Sequence, residues 1–188
     1  MSKFWAGLIA GVILVPVIVA IYLSLGLAPA AATAPPMPFE RLIAGTALHN
    51  RISREAPHRD VSAFTAAQLL DGADVYKKNC AECHGNLGQP APVIAGAMFP
   101  RAPQLMTPEG SVSDDPAGVT YWKVKNGIRL SAMPSFETAL TEDQKWDVAA
   151  LLARSDKLPP EVQDALKSSS ETSAAAPAAA AAISSKKK

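Results

Sequence analysis

Between Phe4 and Leu27 the chain reads FWAGLIAGVILVPVIVAIYLSLGL, an apolar run without a single charge. As a helix this run would be roughly 36 Å long, enough to cross a hydrocarbon core of about 30 Å with some tilt. Residues 1–27 therefore read as a transmembrane anchor, with Trp5 and Tyr22 placed as interfacial aromatics. Pro16 would bend such a helix without ending it. A cleavable signal peptide is the competing reading, because Ala28-Pro29-Ala30-Ala31-Ala32 offers a cleavage site, but signal cores are shorter, about 7 to 15 residues. Residues 28–38, APAAATAPPMP, are small and proline-rich and predict an extended spacer. In 39–60, Phe39, Leu42, Ile43, Ala47 and Leu48 recur near helical spacing among Arg41, Arg51, Arg54 and Arg59. Two placements stay open: an amphipathic helix on a membrane or partner surface, or a helix packed on the following domain or ordered only in a complex.

A compact domain is expected over 61–158. Thr65-Ala66-Ala67-Gln68 forms a capping box, and Leu69, Gly72, Ala73 and Tyr76 line one face of the helix it opens. Gly72 on that face costs about 1 kcal/mol against alanine, which predicts close approach by another helix. Glycine and proline then punctuate a long loop, residues 85–115. Asp115 is expected to cap a helix whose first residue is Pro116, with Val119 and Trp122 facing inward, Tyr121 as a further candidate for that face, and Gly127 as its stop. A second capping box, Thr141-Glu142-Asp143-Gln144, opens a last helix with Trp146, Ala149, Ala150 and Ala153 in one stripe. Residues 159–188 read as a low-complexity tail after Pro159-Pro160, with at most a short turn over EVQDALK. The whole pattern is all-α.

Composition adds little: the formal net charge is +1, which argues against an electrostatic nucleic-acid footprint. Residues 62–158 hold nine basic and eleven acidic side chains, with Lys123, Lys125 and Arg129 as a local basic cluster.

The decisive chemistry lies in Cys80-Ala81-Glu82-Cys83-His84, which contains the only two cysteines of the chain. This C-x-x-C-H spacing lets two thiols form thioethers with neighbouring haem vinyl groups while the adjacent imidazole reaches the iron. A redox dithiol would be expected near a β-α-β pattern, and a zinc site would want further ligands at regular spacing; neither context is visible, although His49 and His58 lie upstream. For the opposite face of the iron, Met133 is the best placed of five methionines. It sits in Arg129-Leu130-Ser131-Ala132-Met133-Pro134-Ser135-Phe136, just before the last helix, and its thioether is a soft donor that favours ferrous iron. Core packing is the ordinary fate of a lone methionine.

CAECHG, NGIRLSAMPSF and LTEDQKWDVAALLA together resemble the class I cytochrome c family in a bacterial, monohaem, membrane-anchored form, over roughly residues 62–158. The resemblance implies an all-α fold wrapped around one covalent haem c, with Cys80 and Cys83 as attachment points and His84 and Met133 as axial ligands. It also implies that the first and last helices of the domain cross, and that a loop proline carbonyl accepts a hydrogen bond from the ligand imidazole. Pro103 is the first choice for that proline, with Pro92 and Pro100 as competitors. Trp122 is a further cofactor-binding candidate, and Arg129 one that would pair with a propionate.

The expected function is single-electron transfer between redox protein partners, with residues 4–27 in the membrane, the amino terminus cytoplasmic and the haem domain periplasmic or otherwise extracytoplasmic. Such a carrier requires no small-molecule substrate. Two rivals remain: a fixed haem subunit of a larger oxidase or dehydrogenase complex, docked through 39–60, and a haem enzyme or gas sensor whose distal side opens.

Overall fold

The computed structural model describes residues 2–168, which form eight helices and, among the described residues, no strand. The all-α expectation holds. The chain divides into two compact units, one ending at Arg51 and one beginning at Ile52.

In the first unit the uncharged run forms α1 (Ser2–Ser24), with Pro16 inside it. Its apolar side chains, Phe4, Val12 and Val15 among them, are exposed, as a lipid-facing helix requires. Length and composition make Lys3–Ser24 a candidate membrane span. Gly26 takes a left-handed φ of +68° just after the helix, a conformation that costs glycine nothing. The proline-rich spacer has no regular structure, and α2 (Glu40–Glu55) follows it, with Phe39, Leu42 and Ile43 exposed at its start.

The second unit is built on α3 (Ala66–Asn79), α4 (Ala81–His84), α5 (Val93–Ala97), α6 (Ala117–Asn126), α7 (Glu142–Leu152) and α8 (Pro160–Lys167). Both capping boxes form: the Thr65 and Thr141 hydroxyls accept from the Gln68 and Gln144 amides, and the glutamine side chains return the bond. α7 lies between α3 and α6. Its central position explains why every residue from Lys145 to Leu152 is buried, where the sequence offered a single stripe. Gly72 allows the closest contact: a Cβ there would lie 2.7 Å from the Asp147 carbonyl carbon and nearer still to its oxygen. Lys145, 2% exposed, keeps its charge paired with Glu142 at 2.7 Å, as a buried ammonium must.

Three expectations change. α6 starts at Ala117, and its cap residue Pro116 makes no side-chain cap bond; the Asp115 carboxylate instead pairs with Lys123 at 3.5 Å. The inward face of α6 carries Ala117, Thr120, Tyr121 and Val124, while Val119 and Trp122 are half-buried. Tyr121 occupies that face because its ring stacks on Trp146 at 4.3 Å and its hydroxyl donates to Glu142. Finally, the compact unit runs beyond Leu158. Pro160 opens α8, where a missing N–H costs nothing, and Val162 and Leu166 are fully buried in the core shared with α3. The tail from 169 to 188 lies outside the described residues.

At its other end the unit includes residues 52–60. Ile52 is buried, Glu55 accepts from the Trp122 indole at 3.1 Å, and the Pro57 carbonyl lies against Gly118. The Arg59 guanidinium sits 5.0 Å from the Phe64 ring and 5.1 Å from the Trp146 ring, within cation–π range.

Asp147 on α7 has its carboxyl pushed up to about 6 by burial and by Asp71 and Asp143, against the opposing pull of Arg59. A carboxyl whose folded value exceeds its ordinary 3.8 takes up a proton more readily in the native state, so its ionisation subtracts stability at neutral pH and stops doing so as pH falls through 6 towards 4. Asp147→Asn is therefore expected to raise the melting temperature at pH 7 by a few degrees, about 1 kcal/mol, with the gain vanishing near pH 4. Thermal melts at both pH values check this; a gain of equal size at both would exclude the titration as its source.

Candidate haem-binding site

α3 delivers the C-x-x-C-H residues onto a single tight turn. Cys80 closes α3, and the amides of Cys83 and His84 both donate to the Cys80 carbonyl, at 3.1 and 2.9 Å. Both cysteines are free and half-buried. Cys80 packs against the hydrophobic core, and burial, followed by the neighbouring Cys83, pushes its thiol up to about 12. A redox dithiol needs a depressed thiol, so this environment speaks against that reading. Among the described residues, no group of three or more His, Cys, Asp and Glu side chains comes together as a metal cluster.

The backbone after the turn is held from three sides. The Tyr76 hydroxyl donates to the Gly85 carbonyl at 2.7 Å, the Leu105 amide to the His84 carbonyl at 3.1 Å, and the Gln104 side-chain amide to the Cys83 carbonyl at 3.3 Å. Burial raises the Tyr76 hydroxyl well above its ordinary range, so it remains a donor. Gly85, at φ +74°, makes room for Gln104. From sequence Tyr76 reads only as a core residue, and Gln104 and Leu105 carry no signal beyond their adjacency to Pro103.

His84 Nδ1 lies 2.8 Å from the Pro103 carbonyl oxygen. A carbonyl only accepts, so Nδ1 carries the proton and Nε2 keeps its lone pair. That is the tautomer an iron ligand needs, and the carbonyl fixes the orientation of the ring. Pro92 instead precedes α5, and Pro100 belongs to the segment after it. A cleft of about 290 Å³ is bordered by α5, Arg101 and Gln104, and none of Cys80, Cys83, His84 or Met133 lines it.

Met133 is half-buried and packs against the same core cluster as Cys80. Of its rivals, Met106 is already enclosed in the core at 8% exposure, while Met37 is exposed in the first unit. The structure thus brings Cys80, Cys83, His84 and Pro103 onto one turn and its facing loop, with Met133 on another segment around the same core. Arg129 is exposed on the loop after α6, and Trp122 faces Glu55. Within the basic cluster, Lys123 is paired with Asp115, and Lys125 lies near enough to Glu142 to help lower its carboxyl.

The donor set fits a covalently held haem: two free thiols, an imidazole with one nitrogen committed to a carbonyl and the other available, and a thioether against the same core. Residues 67–152 match the family described as Cytochrome C oxidase, cbb3-type, subunit III. Cytochrome c6 of Thermosynechococcus vestitus is 35% identical over 88 residues, 47% of this chain and 70% of that protein. The same figures hold for cytochrome c6 of Thermostichus vulcanus. Cytochrome c6 of Synechococcus elongatus is 34% identical over 84 residues, 45% of this chain and 86% of that protein. No solved structure matches the chain significantly.

Proposed function

The chain belongs to the class I cytochrome c family and acts in electron transfer, and from that premise we propose that it is a membrane-tethered carrier holding one haem c outside the cytoplasm. The observation that carries the proposal is the His84–Pro103 hydrogen bond, which leaves Nε2 free beside two unpaired thiols. A bound haem c would supply an iron that alternates between the ferric and ferrous states. Cys80 and Cys83 would hold it through thioether bonds, His84 would ligate through Nε2, and Met133 through its sulfur. Pro103 would keep the imidazole in that tautomer, and the exposed Arg129 would pair with a propionate. A haem held by both His84 and Met133 would offer a substrate no open coordination position, which supports a carrier over an enzyme.

α1 spans the membrane with the amino terminus cytoplasmic, and the spacer 28–38 gives the haem domain reach to both electron donor and acceptor, raising the effective concentration at each. Docking to these redox proteins is weak and electrostatic. A second reading, favoured by the match to an oxidase subunit family, makes the chain a fixed subunit of a larger complex; co-migration with that complex in mild detergent would select it over the shuttle.

Intact-mass spectrometry of the purified chain tests the core of the proposal. One haem is expected to remain bound after extraction with acidified acetone, and the mass also reports whether residues 1–27 are retained. Cys80→Ala with Cys83→Ala is expected to abolish the retained pigment, and retention by that double variant would rule out thioether attachment at these positions.

A further inference from the structure

The end of α6 is capped by the segment that carries Met133. A helix leaves its last carbonyls without intrahelical partners, and here the Phe136 amide donates to the Val124 carbonyl at 3.0 Å while the Ser135 hydroxyl donates to the Lys125 carbonyl at 2.6 Å. Both polar groups of the Met133 backbone are also engaged. Its carbonyl accepts from the Ile128 amide at 3.2 Å, and its amide donates to the Ser131 hydroxyl at 3.2 Å. Ser131 is itself tied down, since its hydroxyl donates to the Ile128 carbonyl at 2.7 Å. The two serines therefore bracket the methionine, two residues before it and two after.

Gly127 lies beneath this arrangement. Its φ of +67° is a left-handed conformation suited to glycine. A Cβ there would come within 2.7 Å of Pro134 C and Ser135 N and 2.9 Å of Met133 O. All three are backbone atoms, so they cannot step aside as a flexible side-chain tip would.

We propose that Gly127, Ser131 and Ser135 are positioning residues for Met133: they hang its backbone on the end of α6, so that the thioether is held in place before it meets the iron. This rests on the reading of Met133 as an axial ligand. A pre-organised sulfur loses less conformational freedom on ligation and is harder for a competing ligand to displace. The serines are not catalytic residues; they act through Met133.

The test uses the full-length, haem-loaded chain in the ferric state, titrated with imidazole and followed in every variant by the shift of the Soret band, and where Met133 is present also by the loss of the near-infrared methionine-to-iron band. Ser131→Ala and Ser135→Ala are each expected to tighten apparent imidazole binding roughly two- to tenfold, the worth of one net hydrogen bond. Ser131→Thr and Ser135→Thr keep the hydroxyl and should restore the wild-type value. Gly127→Ala should exceed either serine change if it folds. In a Met133→Ala background, which is expected to bind imidazole most tightly, the serine substitutions should have no further effect, whereas general loosening of the domain would still move the affinity. If Met133→Ala opens the iron and the serine variants titrate like wild type, positioning is overturned and ligation stands. If Met133→Ala itself titrates like wild type, the ligand assignment falls, and the positioning role with it.

Discussion

Replacing Met133 with alanine is expected to lower the midpoint potential of the haem-loaded chain by about 60 mV or more and to open the ferrous protein to carbon monoxide. The thioether is a neutral, soft donor that stabilises ferrous over ferric iron, and each tenfold loss of that preference lowers a one-electron potential by about 59 mV. The packing limits which residue can take its place. Met106 is enclosed among the core residues of α3 and α7, and withdrawing it would open a cavity there. Potentiometric titration with and without carbon monoxide measures both effects. An unchanged potential and an unreactive iron would assign the sixth ligand to another side chain.

What was legible in the sequence was what depends on near neighbours. Each capping box spans four residues and closes on itself, so Thr65–Gln68 and Thr141–Gln144 could be read before any packing was known. The C-x-x-C-H turn is local in the same sense. The orientation of α6 was not: Val119 with Trp122 and Thr120 with Tyr121 and Val124 both make apolar-enough stripes, and the choice was made by Trp146 and Glu142 on another helix. Pro159-Pro160 read as an ending because proline breaks a helix from inside, yet the same residue at the first position begins one, and only the contact with α3 reveals α8. α5 sits within a stretch whose glycines and prolines hide any period. The bonds from Gln104 and Tyr76 to the carbonyls of the haem-binding turn depend on how a long loop folds back, a property that no residue spacing encodes.

Gly72 sets two effects of opposite sign against each other, which makes its replacement informative. In the middle of α3, Gly72→Ala should gain about 1 kcal/mol from helix propensity. The added methyl, however, would fall 2.7 Å from Asp147 C and 3.2 Å from Val148 N. These are atoms of the α7 backbone, in a helix packed on both sides, so it cannot retreat without disturbing α6. Overpacking of this kind costs about 1–3 kcal/mol and sometimes more, and against backbone the upper end applies. The net expectation is a loss of about 2 kcal/mol, near 8 °C in melting temperature for a domain of this size, with Gly72→Val losing more. At Gly45 in α2, where nothing lies within 4 Å of the added carbon, only the propensity gain would remain. The loss at Gly72 should also reach the haem site. α3 carries Tyr76, whose hydroxyl holds the Gly85 carbonyl, and ends at Cys80. Parting α3 from α7 therefore shifts the turn that presents His84. A melt that is unchanged or rises in Gly72→Ala would mean that the two helices do not meet at this glycine, and that the turn takes its position from the loop alone.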